Sequence, residues 1–576
     1  MRPAPRRWEV AAAAPLDGLP PVLGRVLARR GFDSAGAAAW LDGSASFHDP
    51  FALAGMPEAV ITLGVAMRER RRIAVYGDYD ADGVTACAML TRALRRSGAD
   101  VLPYIPNRMT EGYGLHAAAL EDLASRGADC VITVDCGTSS VEVAQGRPRG
   151  MRLVITDHHL PLAPDGSPPA LAPADALVNP KRPDCAYPFD GLAGAGVAWK
   201  LLSALEAEAV VAPGCAEEAL GLAALGTVAD MMPLRGENRA IVASGLVALS
   251  ESPPLGLRVL CELAGVRLPL RASDLAFGVG PRINAAGRME DAKLALALCL
   301  SEDEDEARGL AAQLCAHNAD RQRAVSTALR EAEERLGGVD DGAPAVVLGD
   351  PGWPMGIVGL VAGRLAERYA RPAFVVCLDP DEAKGSARSA RGLQVVRALD
   401  AARSVLRRYG GHAAAAGFSL DAGDFDEFAR LVTAGVAEQL GEAAPERIHH
   451  VDAEVSVADL TPALCRELAA LEPCGQGNPE PLLALSGCRV LATSSFGAEK
   501  QHLRVTLCGA DGGLVEAIAF NKPGLAAHLP RGRWIDACFA VEADSWEGME
   551  RVRLRLRDLR PTRAGASTPA TVAAVA

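Results

Sequence analysis

No stretch of the 576-residue chain approaches the roughly 18–20 uninterrupted apolar residues of a membrane span. The basic start, Met1 to Trp8, is followed only by Ala11–Leu16, too short for a secretory core and broken by Pro15, so no export signal is expected. The 14 cysteines, scattered from Cys87 to Cys538, contain no C-x-x-C pair. That argues against a zinc ribbon or a thioredoxin-type motif and predicts reduced, mostly buried thiols in the cytoplasm. Lysine is scarce, six of 59 basic residues, so arginine abundance alone says little about phosphate binding. No internal repeat of fixed period is present. A basic balance is missing as well: the formal charge is −13. Taken globally this argues against a nucleic-acid binder, but net charge does not locate charges.

What is present is ordinary globular composition, 49% hydrophobic and 23% charged, at a length that calls for several domains. Residues 1–69 read as a helical lead-in. From Ile73 a unit recurs in which a short apolar run ends in acidic or His residues and a helix-compatible stretch follows. The runs are Ile73–Tyr76, Cys130–Val134 and Leu153–Thr156. Near-continuous apolar runs without alternation suit strands buried on both faces, as in a parallel sheet. An α/β domain is therefore expected over 70–235, and a helical connector over 236–340. Within the connector, Ser301 caps an acidic helix start. Gly337–Pro344 marks a linker, and a second α/β pattern runs over 341–445. Strand-like alternation fills 446–561, and 562–576 reads as a disordered tail.

The chemistry gathers at the ends of the first strands. Strand one runs into Asp78-Tyr79-Asp80-Ala81-Asp82, strand two ends in Asp135, and strand three in Asp157-His158-His159. A fourth element, Leu222–Ala229, delivers Asp230. In open α/β sheets the carboxyl ends of parallel strands gather at one edge, where sites form. Five carboxylates together would repel and lose stability through desolvation. Divalent cations resolve this, and oxygen ligands with an imidazole suit manganese or magnesium. Two ions sharing a carboxylate can clamp a phosphoryl group for in-line attack.

Gly77-Asp78-Tyr79-Asp80-Ala81-Asp82-Gly83, Val134-Asp135-Cys136-Gly137, Asp157-His158-His159 and Ala229-Asp230 resemble, in this order, the signature motifs of the DHH phosphoesterases. Downstream, Gly280–Arg288, Gly356–Leu365, Lys384–Ser389 and Gly410-Gly411-His412 resemble further motifs of the family's single-strand exonucleases. The resemblance covers about 70–560. It implies a multidomain α/β protein: a DHH parallel-sheet domain, a helical connector, a DHH-associated α/β domain and a C-terminal OB-like barrel. It also implies 5′→3′ hydrolysis of single-stranded DNA to 5′ mononucleotides with two divalent ions, Mn²⁺ ahead of Mg²⁺, in recombination and repair.

By the same resemblance Asp78 binds one metal, Asp80 the other, and Asp135 bridges them. His158 and Asp230 complete the second site, His159 approaches the scissile phosphate, and Asp157 orients the His pair. Asp82 is assigned to the loop or helix start. Tyr76 stands where some relatives carry a His ligand, which predicts a weaker or more hydrated first site. Arg108, Arg282, Asn284, Ser386, Arg388 and the Gly410-Gly411-His412 segment are implied to hold substrate, the arginines gripping a 5′ phosphate in fork geometry. Tyr113 is placed to stack on a base. The implied partners are a single-strand-binding protein and a RecQ-type helicase, with the chain itself a monomer.

Arg551, Arg553, Arg555 and Arg557 alternate with Val552, Leu554 and Leu556. On a strand this presents four arginines on one face, read as a phosphate track or as a solvated edge. Two other functions stay open: a DHH hydrolase acting on nanoRNA or nucleotide phosphates, and an inactive replication scaffold.

Overall fold

The chain divides into two units. One comprises residues 1–5, 46–447 and 475–477; the other comprises residues 6–45, 448–474 and 478–576. The structure, a computed structural model, describes every residue except 2, 3, 5, 11, 12, 43–46, 109, 163–168, 391, 441–445, 547, 548 and 563–576. The expected disordered tail thus lies, apart from Thr562, outside the described residues. Among the described residues no single helix is long and apolar enough to cross a membrane.

The N-terminal segment differs from the expected helical lead-in. It opens with strand β1 (Arg6–Val10), followed by helices α1 (Pro21–Arg29) and α2 (Ser34–Leu41). These elements belong to the same unit as the C-terminal barrel, not to the first α/β domain. Only α3 (Met56–Arg68) joins the latter.

The first α/β domain holds β2 (Arg72–Tyr76), α4 (Ala81–Arg96), β3 (Val101–Tyr104), α5 (Ala117–Ser125), β4 (Ala128–Val134), α6 (Val141–Gln145), β5 (Arg152–Thr156) and β6 (Ala176–Val178). Helices α7 (Gly194–Ala207) and α8 (Cys215–Ala229) follow. The strands are all parallel, in the order β3-β2-β4-β5-β6. Successive side chains serve two cores. Ile73, Val75, Ile132 and Val154 pack with α3, α4 and α7, whereas Ala74, Tyr76, Val131 and Leu153 pack with α5 and α6. Each large apolar side chain buried this way contributes about 1.5–3 kcal/mol, and burial on both faces explains why the strands carry no polar alternation.

Helices dominate from Gly236 to Leu336, ending in one of 33 residues, Glu304–Leu336. Its cap is Asp303, whose Oδ1 accepts the N–H of Glu306 at 2.8 Å; Ser301, two residues earlier, bonds the Glu306 carboxylate instead. A second sheet follows, built from β7 (Val346–Asp350), β8 (Ala373–Cys377), β9 (Ala383–Arg388), β10 (Leu406–Gly411) and β11 (Ala415–Leu420). Its order is β10-β11-β9-β8-β7, with only the β7–β8 pair parallel.

In the second unit β12 (Arg447–Val451) pairs with β1. The strands β13 (Ala453–Glu454), β14 (Leu483–Phe496), β15 (His502–Cys508), β16 (Leu514–Ala519), β17 (Trp534–Trp546) and β18 (Met549–Pro561) run in the order β13-β14-β15-β16-β18-β17. A further β14–β17 pairing closes them into a barrel. Val22, Leu23, Val26 and Leu27 of α1 enter its core beside Leu483 and Leu464. Trp8 of β1 donates its indole N–H to Asp558 at 2.7 Å and stacks under Arg560.

Candidate active site

The carboxylate cluster is assembled by close backbone packing. At the end of β2, a Cβ on Gly77 would come within 2.7 Å of the Gly83 carbonyl oxygen, and one on Gly83 within 2.4 Å of the Asp78 nitrogen. The turn therefore folds tightly and leaves Asp78 buried. Asp80 caps α4: its Oδ1 accepts the N–H groups of Asp82 and Gly83 at 2.9 and 3.1 Å. Asp82 sits in the first turn of α4, yet its carboxylate reaches a different helix. It accepts from Gly194 at 2.7 Å and Ala195 at 2.8 Å, the first N–H groups of α7.

After β4, Asp135 adopts φ 63°, a left-handed conformation that Asp tolerates better than most residues. Gly194 gives its side chain room; a Cβ there would lie 2.5 Å from Asp135 Oδ1. After β5, Asp157 accepts the backbone N–H groups of His158 and His159 at 2.7 and 3.1 Å, and that of Thr138 at 2.9 Å. His159 Nδ1 lies 2.8 Å from the same carboxylate. The fourth element is a helix rather than a strand: Asp230 is the C-cap of α8, at the negative end of the helix dipole.

These groups form three overlapping sets whose ligand atoms lie within 4.8 Å of one another: Asp78, Asp80 and Asp135; Asp82, His158 and Asp230; Asp135, His158 and His159. His158 Nε2 lies 3.1 Å from Asp135 Oδ1 and 3.6 Å from Asp230 Oδ2. Buried Asp78 Oδ1, Asp135 Oδ1 and both His158 ring nitrogens have no hydrogen-bond partner. Burial and then neighbouring carboxylates push the pKa of Asp78 and Asp135 well up, that of Asp82 to about 7 and that of Asp230 to about 9. Burial, then the neighbouring His159, lowers His158 to about 3, leaving a neutral imidazole. Orphaned oxygens, a neutral imidazole and mutually repelling acids form a donor set that divalent cations fit.

Asp157 is different. Burial pushes it up, but the His159 hydrogen bond and charge and the Thr138 N–H outweigh that and hold it below the usual carboxylate range. His159 is raised in turn, burial notwithstanding, by its bond to Asp157. Tyr113, expected to stack on a base, puts its hydroxyl 2.9 Å from His159 Nδ1 and its ring against the imidazole, so it supports the histidine. Tyr76 donates to the Gly114 carbonyl at 2.9 Å and stacks on Tyr104; it fills space below the cluster.

Beside Asp80 lies a basic group. Arg108 covers the ring of Tyr79 at 4.9 Å. Arg288, half-buried, has its pKa lowered to about 10 by desolvation and then by Arg108, with Arg321 and Arg388 adding and Asp80 opposing. Arg388 donates to Ser386 Oγ at 2.7 Å, and a side chain at Gly359 would obstruct both residues. Arg282 donates to the Gly278 carbonyl, lies 3.3 Å from Cys315 Sγ and neighbours Arg321, which also neighbours Arg288. Arg288 is six positions beyond Arg282 on one helix, which sets the two side chains about 120° apart around its axis. Asn284, four residues before Arg288, shares its face, and its Oδ1 accepts the Ala81 N–H at 2.8 Å. That spacing was the available sequence signal for Arg288.

The Gly410-Gly411-His412 segment forms the tip of the β10–β11 hairpin. In register, Gly410 opposes Gly417, which opposes Ser386. A Cβ on Gly410 or Gly417 would meet nothing within 4 Å, so the backbone beside Ser386 is bare. His412 is exposed at the tip.

Family models of known proteins match the chain at three places: the DHH family N-terminal domain at 72–227, the DHHA1 domain at 342–438 and the RecJ OB domain at 451–558. The single-stranded-DNA-specific exonuclease RecJ of Escherichia coli is 37% identical over 543 residues, 90% of this chain and 92% of the relative. That of Bacillus subtilis is 36% identical over 93% of this chain and 68% of its own length. The chain belongs to the RecJ family. Crystal structures of Thermus thermophilus RecJ superpose over 97% of the chain and about 80% of their own length at 34% identity, with TM-scores of 0.81 for the Mn²⁺ complex and 0.76 for the Mg²⁺ complex. The DHH, DHHA1 and OB domains expected of a RecJ-type chain are all present.

In the OB domain the arginine stripe of β18 is ion-paired. Arg553 pairs with Glu542 and Asp544, Arg555 with Glu480 and Glu542, and Arg557 with Glu480. Leu554 and Leu556 are buried as the alternation requires, but the arginine face is largely neutralised by its own neighbours.

Proposed function

We propose that this RecJ-family chain degrades single-stranded DNA from the 5′ end and releases 5′ mononucleotides. What supports this is a group of arginines, Arg108, Arg288 and Arg388, on the Asp80 flank of the carboxylate cluster. A doubly charged terminal phosphate matches half-buried guanidinium forks better than an internal phosphodiester does. The scissile bond then falls one nucleotide away, over the carboxylates. The exposed hairpin at Gly410, Gly411 and His412 offers bare backbone to the terminal nucleotide.

Asp78 and Asp135 would hold one divalent ion, and Asp80, Asp135, His158 and Asp230 the other, Asp135 being common to both. Such ions supply Lewis acidity at the phosphoryl oxygens and lower the pKa of water nearby. The protein's own groups do the rest. Asp157 keeps His159 protonated and turned toward the scissile phosphate, where it donates to a phosphoryl oxygen. Asn284 fixes the N-terminus of α4, and Asp82 fixes α7 against it. Fourteen unpaired cysteines accord with a reducing cytoplasm, where the chain would act as a monomer alongside a single-strand-binding protein and a helicase.

Digestion of 5′-labelled and 3′-labelled single strands with Mn²⁺ or Mg²⁺ tests this reading. Labelled mononucleotide should appear at once from the 5′ label and only at the end from the 3′ label. The reverse order, or metal-independent cleavage, overturns it.

A further inference from the structure

The sheet order arrays functional groups in a line along one edge. The carboxyl ends of β3, β2, β4, β5 and β6 emit in turn Arg108, then Asp78 and Asp80, then Asp135, then the Asp157-His158-His159 turn, and last Asn179-Pro180-Lys181. Four strand spacings cover about 19 Å. Asn179 fastens the last segment to the site: its Nδ2 donates to the His159 carbonyl and to Thr138 Oγ1, both at 2.9 Å.

Past His159 this edge opens into a groove of about 590 Å³. Leu160, 56% exposed, Pro180 and Pro188 give it apolar surface, and Asp190 adds a carboxylate to the lining. Two basic side chains border it. Arg182 is engaged, bonding Asp184 and the Leu177 carbonyl. Lys181 is not: among the described residues no carboxylate lies within ion-pairing distance of its ammonium. Lys181 follows β6, the edge strand at the opposite side of the sheet from β3, whose end carries Arg108. A half-buried cation beside a groove of mixed lining can seat a nucleotide, with Leu160 and the two prolines against base and sugar and the ammonium on a phosphate.

We infer that Lys181 receives the phosphate that follows the scissile one, and that the groove beside it seats the second nucleotide of the strand. This rests on the 5′-exonuclease reading and deepens it. The 5′ phosphate lies at Arg108, the scissile phosphate at Asp135 and the next phosphate at Lys181, so three phosphates follow the order of the strands. Lys181 is a positioning residue: it holds the strand taut across the cluster and makes no bond to the reacting atoms.

The test uses the metal-loaded full chain and 5′-phosphorylated single strands of graded length. A dinucleotide has no phosphate beyond the scissile one; a trinucleotide has one. Lys181→Gln should raise KM for the trinucleotide and longer strands about tenfold, the scale of one charge-assisted phosphate contact, with kcat little changed. The dinucleotide should be cleaved as by the wild type, and Lys181→Arg should restore the trinucleotide KM. A trinucleotide with a neutral methylphosphonate at the second linkage should no longer distinguish wild type from variant. Equal loss on dinucleotide and trinucleotide would assign Lys181 to the carboxylate cluster and overturn the inference, as would no loss on either. In both cases the exonuclease reading survives in the wild-type digests. A wild type inactive on every 5′-phosphorylated strand would overturn that reading, and the inference with it.

Discussion

The carboxylate of Asp82 accepts the N–H groups of Gly194 and Ala195, and so joins the first turn of α4 to the first turn of α7. This acid sits among the others but does structural work that they do not. Asp82→Ala would leave two buried donors unsatisfied at about 1–3 kcal/mol each. Asp135→Ala would remove a carboxylate whose Oδ1 accepts no hydrogen bond among the described residues and which has several acidic neighbours. In chelator, Asp82→Ala should therefore lower the unfolding midpoint by several degrees, while Asp135→Ala should match or exceed the wild type. Both should lose nuclease activity. Calorimetry of the two variants separates the roles.

The same repulsion sets a pH dependence. Asp82 and Asp230 have folded pKa values raised to about 7 and about 9. The folded state therefore binds more protons than the unfolded chain above the unfolded carboxyl value of about 3.9. The stability these groups give when protonated is complete below that value and is lost as pH rises toward 9. Asp157, held low, costs stability only in strong acid. Metal-free protein should melt at progressively lower temperature from pH 5 to 9. Mn²⁺ should raise the midpoint most at the alkaline end, which thermal scans in chelator and in Mn²⁺ would show.

Arg288 and Arg282 can be told apart by the end group of the substrate. Arg288→Ala should raise KM for 5′-phosphorylated strands at least about tenfold and shrink their advantage over 5′-hydroxyl strands. Arg282→Ala, whose guanidinium is held by the Gly278 carbonyl, should leave that advantage intact. Competition between the two substrates reads the ratio directly.

Glu480 neutralises Arg555 and Arg557. Glu480→Gln frees part of that face. If the face meets DNA, the variant should bind single strands more tightly, with a log–log salt slope steeper by about 0.7 per phosphate gained. An unchanged slope would make the stripe an ion-paired outer surface of the barrel and nothing more.

The sequence was most legible where burial is two-sided. Ile73–Tyr76, Cys130–Val134 and Leu153–Thr156 carry no polar residue that could face water, so strands and their acidic ends followed directly. Strand β3 was hidden by Pro103 at the sheet margin and β6 by its three-residue length. With them went the ends of the edge, and hence Lys181. The element that delivers Asp230 had no assigned type, because periodicity alone does not separate a buried helix from a buried strand. Arg288 was passed over because its motif was read as a string and not as a helix face. The arginine stripe of β18 showed its true period, but its pairing with Glu480 and Glu542 depends on contacts that no local pattern carries.

The barrel's unit draws on both ends of the chain: β1 pairs with β12, and α1 enters the barrel core. During synthesis residues 6–45 leave the ribosome well before their partners, because the intervening stretch to residue 447 must be made first. At about 5–20 residues per second that is a wait of about 20–80 s. Throughout it Trp8 and the apolar face of α1 have nothing of their own chain to cover them. The nascent protein therefore presents a sticky N-terminal segment to chaperones well before the domain that shelters it has been translated.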